Sequence, residues 1–211
     1  MYSTANAQWI GSSLPKKIVA SDRYLFYQHG GVVTVLGDMA LNQSAPEWGP
    51  YEFNHILDSL RKRGFVVISE VRREGVDDSI YAVKIVHQID TLLHNAVKPG
   101  NILVIGASAG WNITLMVSSR LKNESVHYVM MGGCWPETYK EYLSLDLYGH
   151  LLSVVESSDP HGTCERVMFS HKTLKSKREI VLTTGLSHGF IYKGYKEWID
   201  PVMDWYLDPD K

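Results

Sequence analysis

Between Asn101 and Trp111 the chain reads Asn-Ile-Leu-Val-Ile-Gly-Ala-Ser-Ala-Gly-Trp, with Ser108 between two glycines at the end of an apolar run. Ile102–Ile105 has the composition of a buried strand and Gly110–Leu121 the three- and four-residue spacing of a helix, so Ser108 falls on the turn between them. A Gly106-x-Ser108-x-Gly110 turn in that setting is a nucleophile elbow. Small neighbours relieve the crowding around a residue held at unfavourable backbone angles, and the hydroxyl stands clear of the sheet. The N–H of Ala109, at the helix N-terminus, would then face negative charge developing on an attacked carbonyl oxygen. A serine hydroxyl becomes a good nucleophile only when a base takes its proton, and the base needs an acid to orient it. Both residue types follow. Leu151–Val155 runs into Glu156-Ser-Ser-Asp159-Pro160, and Glu179–Thr183 runs into Gly185-Leu-Ser-His188-Gly189. Asp159 is preferred to Glu156 as the acid, because it begins a turn with Pro160 while Glu156 still falls in the last residues of a strand.

Of nine histidines, only His29 and His188 follow expected strands in glycine-flanked loops. His55, His87 and His94 fall on expected helices, and His127 and His150 begin strands, at the opposite edge of a sheet. His161 and His171 lie near Asp159 and Cys164 without a recurring ligand spacing, so no metal site is read there. After Tyr24–Gln28 comes His29-Gly30-Gly31, where glycines let the backbone approach a substrate oxygen closely. Gly31 N–H is the preferred second oxyanion donor and Gly30 the next, with His29 a structural brace for the loop. The long loop Gly31–Pro50 is expected to drape over the site, bringing Trp48 beside Trp111 and Trp135 as an apolar substrate wall. Glu70 and Arg72, after Phe65–Ser69, are polar groups at the same edge, available to a substrate or to each other.

These loops need a frame. Tyr24–Gln28, Phe65–Ser69, Ile102–Ile105, His127–Met131, Leu151–Val155 and Glu179–Thr183 are near-continuously apolar, as strands buried on both faces of a parallel sheet are. Helical patterns alternate with them over Tyr51–Arg63, Ile80–Asn95, Gly110–Leu121 and Gly194–Leu207. Gln8–Val19 adds one or two edge strands. The alternation predicts a three-layer α/β sandwich with a mostly parallel central sheet, whose ligands sit at the carboxyl ends of the strands. At 211 residues, 45% of them hydrophobic, the chain can bury a substantial core and is expected to form one domain over 1–211.

A net charge of −2 without a basic footprint excludes nucleic acid as the expected partner. No stretch has the roughly 18 uninterrupted apolar residues of a membrane span, and Met1–Leu14 lacks the pattern of a signal peptide. Cys134 and Cys164 are read as two free thiols, which with the preceding points predicts a cytoplasmic protein without a membrane partner.

Taken together, Tyr27-Gln-His-Gly-Gly31, Gly106-Ala-Ser-Ala-Gly110, Ser158-Asp159 and Ser187-His188-Gly189 resemble the α/β-hydrolase superfamily over about residues 20–207. The chain is similar to small hydrolases of that group. The resemblance implies an eight-stranded type of sheet, trimmed at its first strands, and a catalytic triad of Ser108, Asp159 and His188. It further implies a serine hydrolase that cleaves carboxylic esters through an acyl-enzyme, with a small-molecule ester as partner and no metal or organic cofactor, and the lidless outline of this chain suggests small or short-chain esters. A thioesterase or acyltransferase would use the same residues, and a repurposed binding protein could keep the fold. Many relatives carry a helical lid, but Gly132–His150 has room for only one short helix, so a minimal lid is expected.

Overall fold

The computed structural model describes residues 9–43, 47–135 and 142–210. Its seven strands are β1 (Ile10–Gly11), β2 (Arg23–Gln28), β3 (Phe65–Ile68), β4 (Ile102–Ala107), β5 (His127–Met131), β6 (His150–Glu156) and β7 (Ser176–Leu182). They form one sheet in the order β1-β3-β2-β4-β5-β6-β7. Every pairing is parallel, with Tyr24 opposite Ile102, Leu103 opposite His127 and His150 opposite Ser176.

The apolar runs become central strands because both faces of the sheet are covered, as parallel sheets require. Along β4, Leu103 and Ile105 point to one face, while Ile102 and Val104 point to the other. On the first face pack Ile56, Leu57 and Leu60 of α3 (Phe53–Lys62) and Trp198, Val202 and Trp205 of the last helix, α7 (Lys196–Leu207). On the second lie Ile85, Ile89 and Leu92 of α4 (Asp78–His94), Ile113, Leu115 and Val117 of α5 (Gly110–Leu121), and Val167 and Met168 of α6 (Glu165–Ser170). Asp77 caps α4 by accepting a hydrogen bond from Ser79 N–H at 2.7 Å, a contact that satisfies one otherwise unpaired donor of the first turn.

The described part of Gln8–Val19 forms one edge strand, the two-residue β1, as expected. Two other expectations change. The expected loop Gly31–Pro50 contains two short helices, α1 (Gly31–Leu36) and α2 (Asp38–Gln43). In α1 the β-branched run Val-Val-Thr-Val disguised a helix, because tertiary placement overrides a weak local preference. Cys134 and Cys164 are joined in a disulfide, not free. Thirty residues apart in sequence, they are brought to a Cα–Cα distance of 5.3 Å where the loops after β5 and β6 converge, a span a disulfide bridges readily. The free-thiol argument for a reducing compartment therefore falls away. The single short helix expected within Gly132–His150 rests largely on residues 136–141, outside the described residues. Among the described residues no helix is long and apolar enough to cross a membrane.

Candidate active site

Neighbouring strands deliver the chemistry-bearing residues to one edge of the sheet. Ser108 follows β4, Asp159 follows β6, His188 follows β7, and Gly30–Gly31 follow β2. The turn at Ser108 is as tight as its glycines imply. Ser108 has φ +47°, a left-handed conformation rare for a residue with a Cβ. It is pinned by its N–H donating to the Met131 carbonyl at 2.8 Å and by its carbonyl accepting from Trp111 N–H at 2.9 Å. The flanking glycines are spatial requirements. A methyl group at Gly110 would lie 2.8 Å from the Gln28 carbonyl carbon, and one at Gly106 would lie 2.6 Å from the Gly110 carbonyl carbon. Helix α5 can therefore start against the end of β2 only without side chains at those positions.

His188 Nε2 lies 3.0 Å from Ser108 Oγ, and its Nδ1 lies 2.7 Å from Asp159 Oδ2. A carboxylate can only accept, so Nδ1 carries the proton and Nε2 presents its lone pair to the serine hydroxyl. The other carboxylate oxygen, Asp159 Oδ1, accepts from the backbone N–H of His161 at 3.1 Å. Burial pushes the Asp159 carboxyl up, but the hydrogen bonds from His188 and from His161 N–H outweigh it and hold it below the usual value. Asp159 is therefore an anion, aimed at the imidazole.

The rival acid has a different task. Glu156 is 1% exposed and accepts from Ser158 N–H at 2.7 Å, from Ser158 Oγ, and from Gly185 N–H at 3.0 Å. Ser158 in turn meets Ser187: its Oγ accepts from Ser187 N–H and its carbonyl accepts from Ser187 Oγ, both at 3.2 Å. The Glu156 carboxylate thus fastens the loop that carries Asp159 to the loop that carries His188. Burial raises its pKa, and the donors from Ser158, Gly185 and Thr184 more than reverse that. The signal was present in the sequence as an acid followed two residues later by a serine in a turn.

The loop after β2 rests on buried polar groups. His29 is fully buried; its Nε2 accepts from Arg72 N–H and its Nδ1 donates to the Gly30 carbonyl, both at 2.8 Å. Burial, with Arg72 beside it, drives the His29 pKa down to about 3, so the ring stays neutral. Arg72 also donates to the His29 carbonyl at 2.5 Å. It therefore braces this loop and does not pair with Glu70, which binds Lys84 at 2.7 Å. Tyr51, whose hydroxyl is 2.6 Å from that of Tyr27, accepts from Gly30 N–H at 3.4 Å. Burial raises the Tyr51 pKa to about 12, keeping the phenol intact. A methyl group at Gly30 would lie 3.3 Å from Ser108 Cβ, and one at Gly31 would lie 3.4 Å from Ala109 Cβ, so this loop lies directly against the elbow.

The three tryptophans separate. The Trp48 ring lies 6.0 Å from the His188 ring and 5.1 Å from that of Tyr192. The Trp135 ring lies 5.4 Å from that of His161, whose ring meets His188 edge-on at 4.8 Å. Trp111 is fully buried against Tyr142, 4.6 Å between rings, and belongs to the packed core of the α4–α5 face. Its expected substrate contact is therefore replaced by a packing role.

No family model matches the chain, and no curated protein matches its sequence. Several of the solved structures it resembles are hydrolases. A dienelactone hydrolase from Anabaena variabilis superposes with a TM-score of 0.56 at 17% identity, covering 90% of this chain and 88% of that one. Est1E from Butyrivibrio proteoclasticus gives 0.57 at 11% identity, covering 93% and 91%. A structure reported with activity profiles of carboxylesterases from the thaumarchaeon Nitrososphaera gargenis gives 0.52 at 14%, covering 92% and 97%. The chain has the α/β-hydrolase fold, with seven strands, all parallel, among the described residues.

Proposed function

We propose that the protein is a serine hydrolase acting on carboxylic esters. The observation that carries this reading is the continuous hydrogen-bond chain Ser108–His188–Asp159, at 3.0 and 2.7 Å, with the serine at φ +47° between β4 and α5. His188 Nε2 takes the Ser108 hydroxyl proton as Oγ attacks the ester carbonyl, while Asp159 keeps the ring's orientation and stabilises its positive charge. The N–H groups of Ala109 and Gly31 receive the oxyanion, the first-turn donors of a helix having no partner within it. The imidazolium gives its proton to the departing alcohol, leaving an acyl group on Ser108. Water, deprotonated by His188, then releases the acid and restores the serine.

Trp48 beside His188 and Trp135 beside His161 support an apolar contact for the acyl group, which the p-nitrophenyl series below sizes. The test is turnover of p-nitrophenyl esters of increasing acyl length by the wild type and Ser108→Ala. Serine-dependent turnover with an optimum at short chains is expected. A folded wild type that turns over no ester, or a Ser108→Ala variant of equal activity, contradicts the reading.

A further inference from the structure

The Cys134–Cys164 disulfide takes no part in that mechanism, yet both of its ends border the site. Cys164 closes the turn that begins at Asp159, and Trp135, whose ring packs on that of His161, directly follows Cys134. The two ends are held unequally. Cys164 has other anchors: its N–H donates to Glu179 Oε2 at 2.7 Å, and Ser153 Oγ donates to the same oxygen at 2.9 Å. Gly132 is fixed as well, its N–H donating to the Val154 carbonyl at 3.1 Å. Cys134 instead sits at φ +63°, a left-handed conformation that a residue with a Cβ keeps only when its surroundings impose it. The covalent link to the anchored Cys164 is such an imposition, and it acts one residue away from Trp135.

We infer that the Cys134–Cys164 disulfide is a redox-sensitive strap that holds Trp135 against His161 and thereby sets which esters the site prefers. A dithiol reductant breaks the S–S bond by thiolate attack through a mixed disulfide. Two electrons pass to the protein, Cys134 and Cys164 become thiols, and the reductant closes into its own disulfide. Cys134 then relaxes toward negative φ and draws the Trp135 ring off His161. Ser108, His188 and Asp159 keep their places, because the Glu156 contacts with Ser158 and Gly185 and the Gly132 anchor do not pass through the disulfide. Reduction therefore weakens ester binding and leaves the chemical step standing. Both cysteines are buried, so exchange follows local opening and takes minutes to hours. The change in selectivity rests on the proposed hydrolase activity; the movement of Trp135 does not.

The experiment compares three forms of the full chain: oxidised, incubated with dithiothreitol under native conditions, and the Cys134→Ser/Cys164→Ser double variant. Thiol titration reports the state of the pair, and thermal unfolding reports whether each form is folded at the assay temperature. In proton–nitrogen correlation spectra the Trp135 indole signal, assigned by its loss in Trp135→Phe, is expected to shift on reduction. The Trp205 signal is the control, because that ring packs 5.6 Å from His127 at the opposite end of the sheet, and it should stay. One aromatic contact is worth about two- to tenfold in binding, so KM for the best p-nitrophenyl ester should rise by that factor, with kcat within about twofold. The double variant should match the reduced protein and ignore dithiothreitol. A pair that stays oxidised in dithiothreitol, a reduced protein that unfolds at the assay temperature, or a Trp135 signal equal in both states overturns the strap. Equal KM in both states, or a fall in kcat as large as the rise in KM, overturns its control of selectivity. A Trp135 shift in a protein that turns over no ester refutes the hydrolase reading and leaves the strap standing.

Discussion

Glu156 and Asp159 are two carboxylates three residues apart, and exchanging each for its amide should produce opposite signatures. In Glu156→Gln one carboxylate oxygen becomes an NH2 facing the donors that now converge there, Ser158 N–H and Oγ or Gly185 N–H. A buried, charged hydrogen-bond acceptor turned into a mismatched donor costs about 1–3 kcal/mol. For a chain of this length each kcal/mol lowers Tm by about 2–4 °C, so a loss of several degrees is expected. Activity falls indirectly, through slackening of the Ser158–Ser187 contact between the two loops. A misplacement of about 1 Å is worth about 100-fold, which sets the ceiling for the fall in kcat. Asp159→Asn keeps its shape and loses chiefly the anion beside His188, so kcat should drop by about 10^4 with a smaller change in Tm. The assay pairs thermal unfolding with ester kinetics on both variants. A Glu156→Gln protein as inactive as Asp159→Asn, with an unchanged Tm, would refute the division of labour and make Glu156 the acid.

Further outcomes follow from the same geometry. Gly110→Ala pushes a methyl group to 2.8 Å from the Gln28 carbonyl carbon, so α5 must shift away from β2. Overpacking of this kind costs about 1–3 kcal/mol, read as a lower urea midpoint, together with a loss of turnover well beyond tenfold if Ser108 moves with the helix. Acid should destabilise the fold earlier than carboxylate titration would. Burial and Arg72 lower the His29 pKa to about 3, while burial and His150 lower that of His127 to about 4. The folded state therefore favours both rings neutral, whereas the unfolded chain takes up protons near pH 6.5. Their contribution is complete above about pH 6.5 and is lost as pH falls toward 3–4, at up to about 1.4 kcal/mol per pH unit for each ring. Urea midpoints that do not change between pH 7 and 5 would contradict this.

What could be read from the residues alone was whatever depended on local spacing. The strand His127–Met131 and the helix Gly110–Leu121 emerged with the expected bounds, because an unbroken apolar run and a glycine entry are local signals. Ser108, Asp159 and His188 each follow a strand, and their grouping was implied by the ordered motifs and the fold they resemble. Other properties set by approach between distant segments were not legible. Cys134 and Cys164 meet only because the β5 and β6 loops converge, and Trp111 lies buried because of what α5 packs against. Arg72 was visible as a polar group at the correct edge, but its bond to the His29 backbone depends on how β2 and β3 stand side by side. His161 was noticed for its neighbours in sequence, while its placement against His188 belongs to the fold.

The central claim is that Ser108 is the nucleophile and His188 its base. Its most direct measurement is the intact mass of the protein after incubation with a p-nitrophenyl alkylphosphonate, which phosphonylates an activated serine with release of p-nitrophenolate. A single adduct that maps to Ser108 in the wild type, and is lost in both Ser108→Ala and His188→Ala, is the predicted result. An unmodified wild type, or an adduct that forms equally well without His188, would contradict the account.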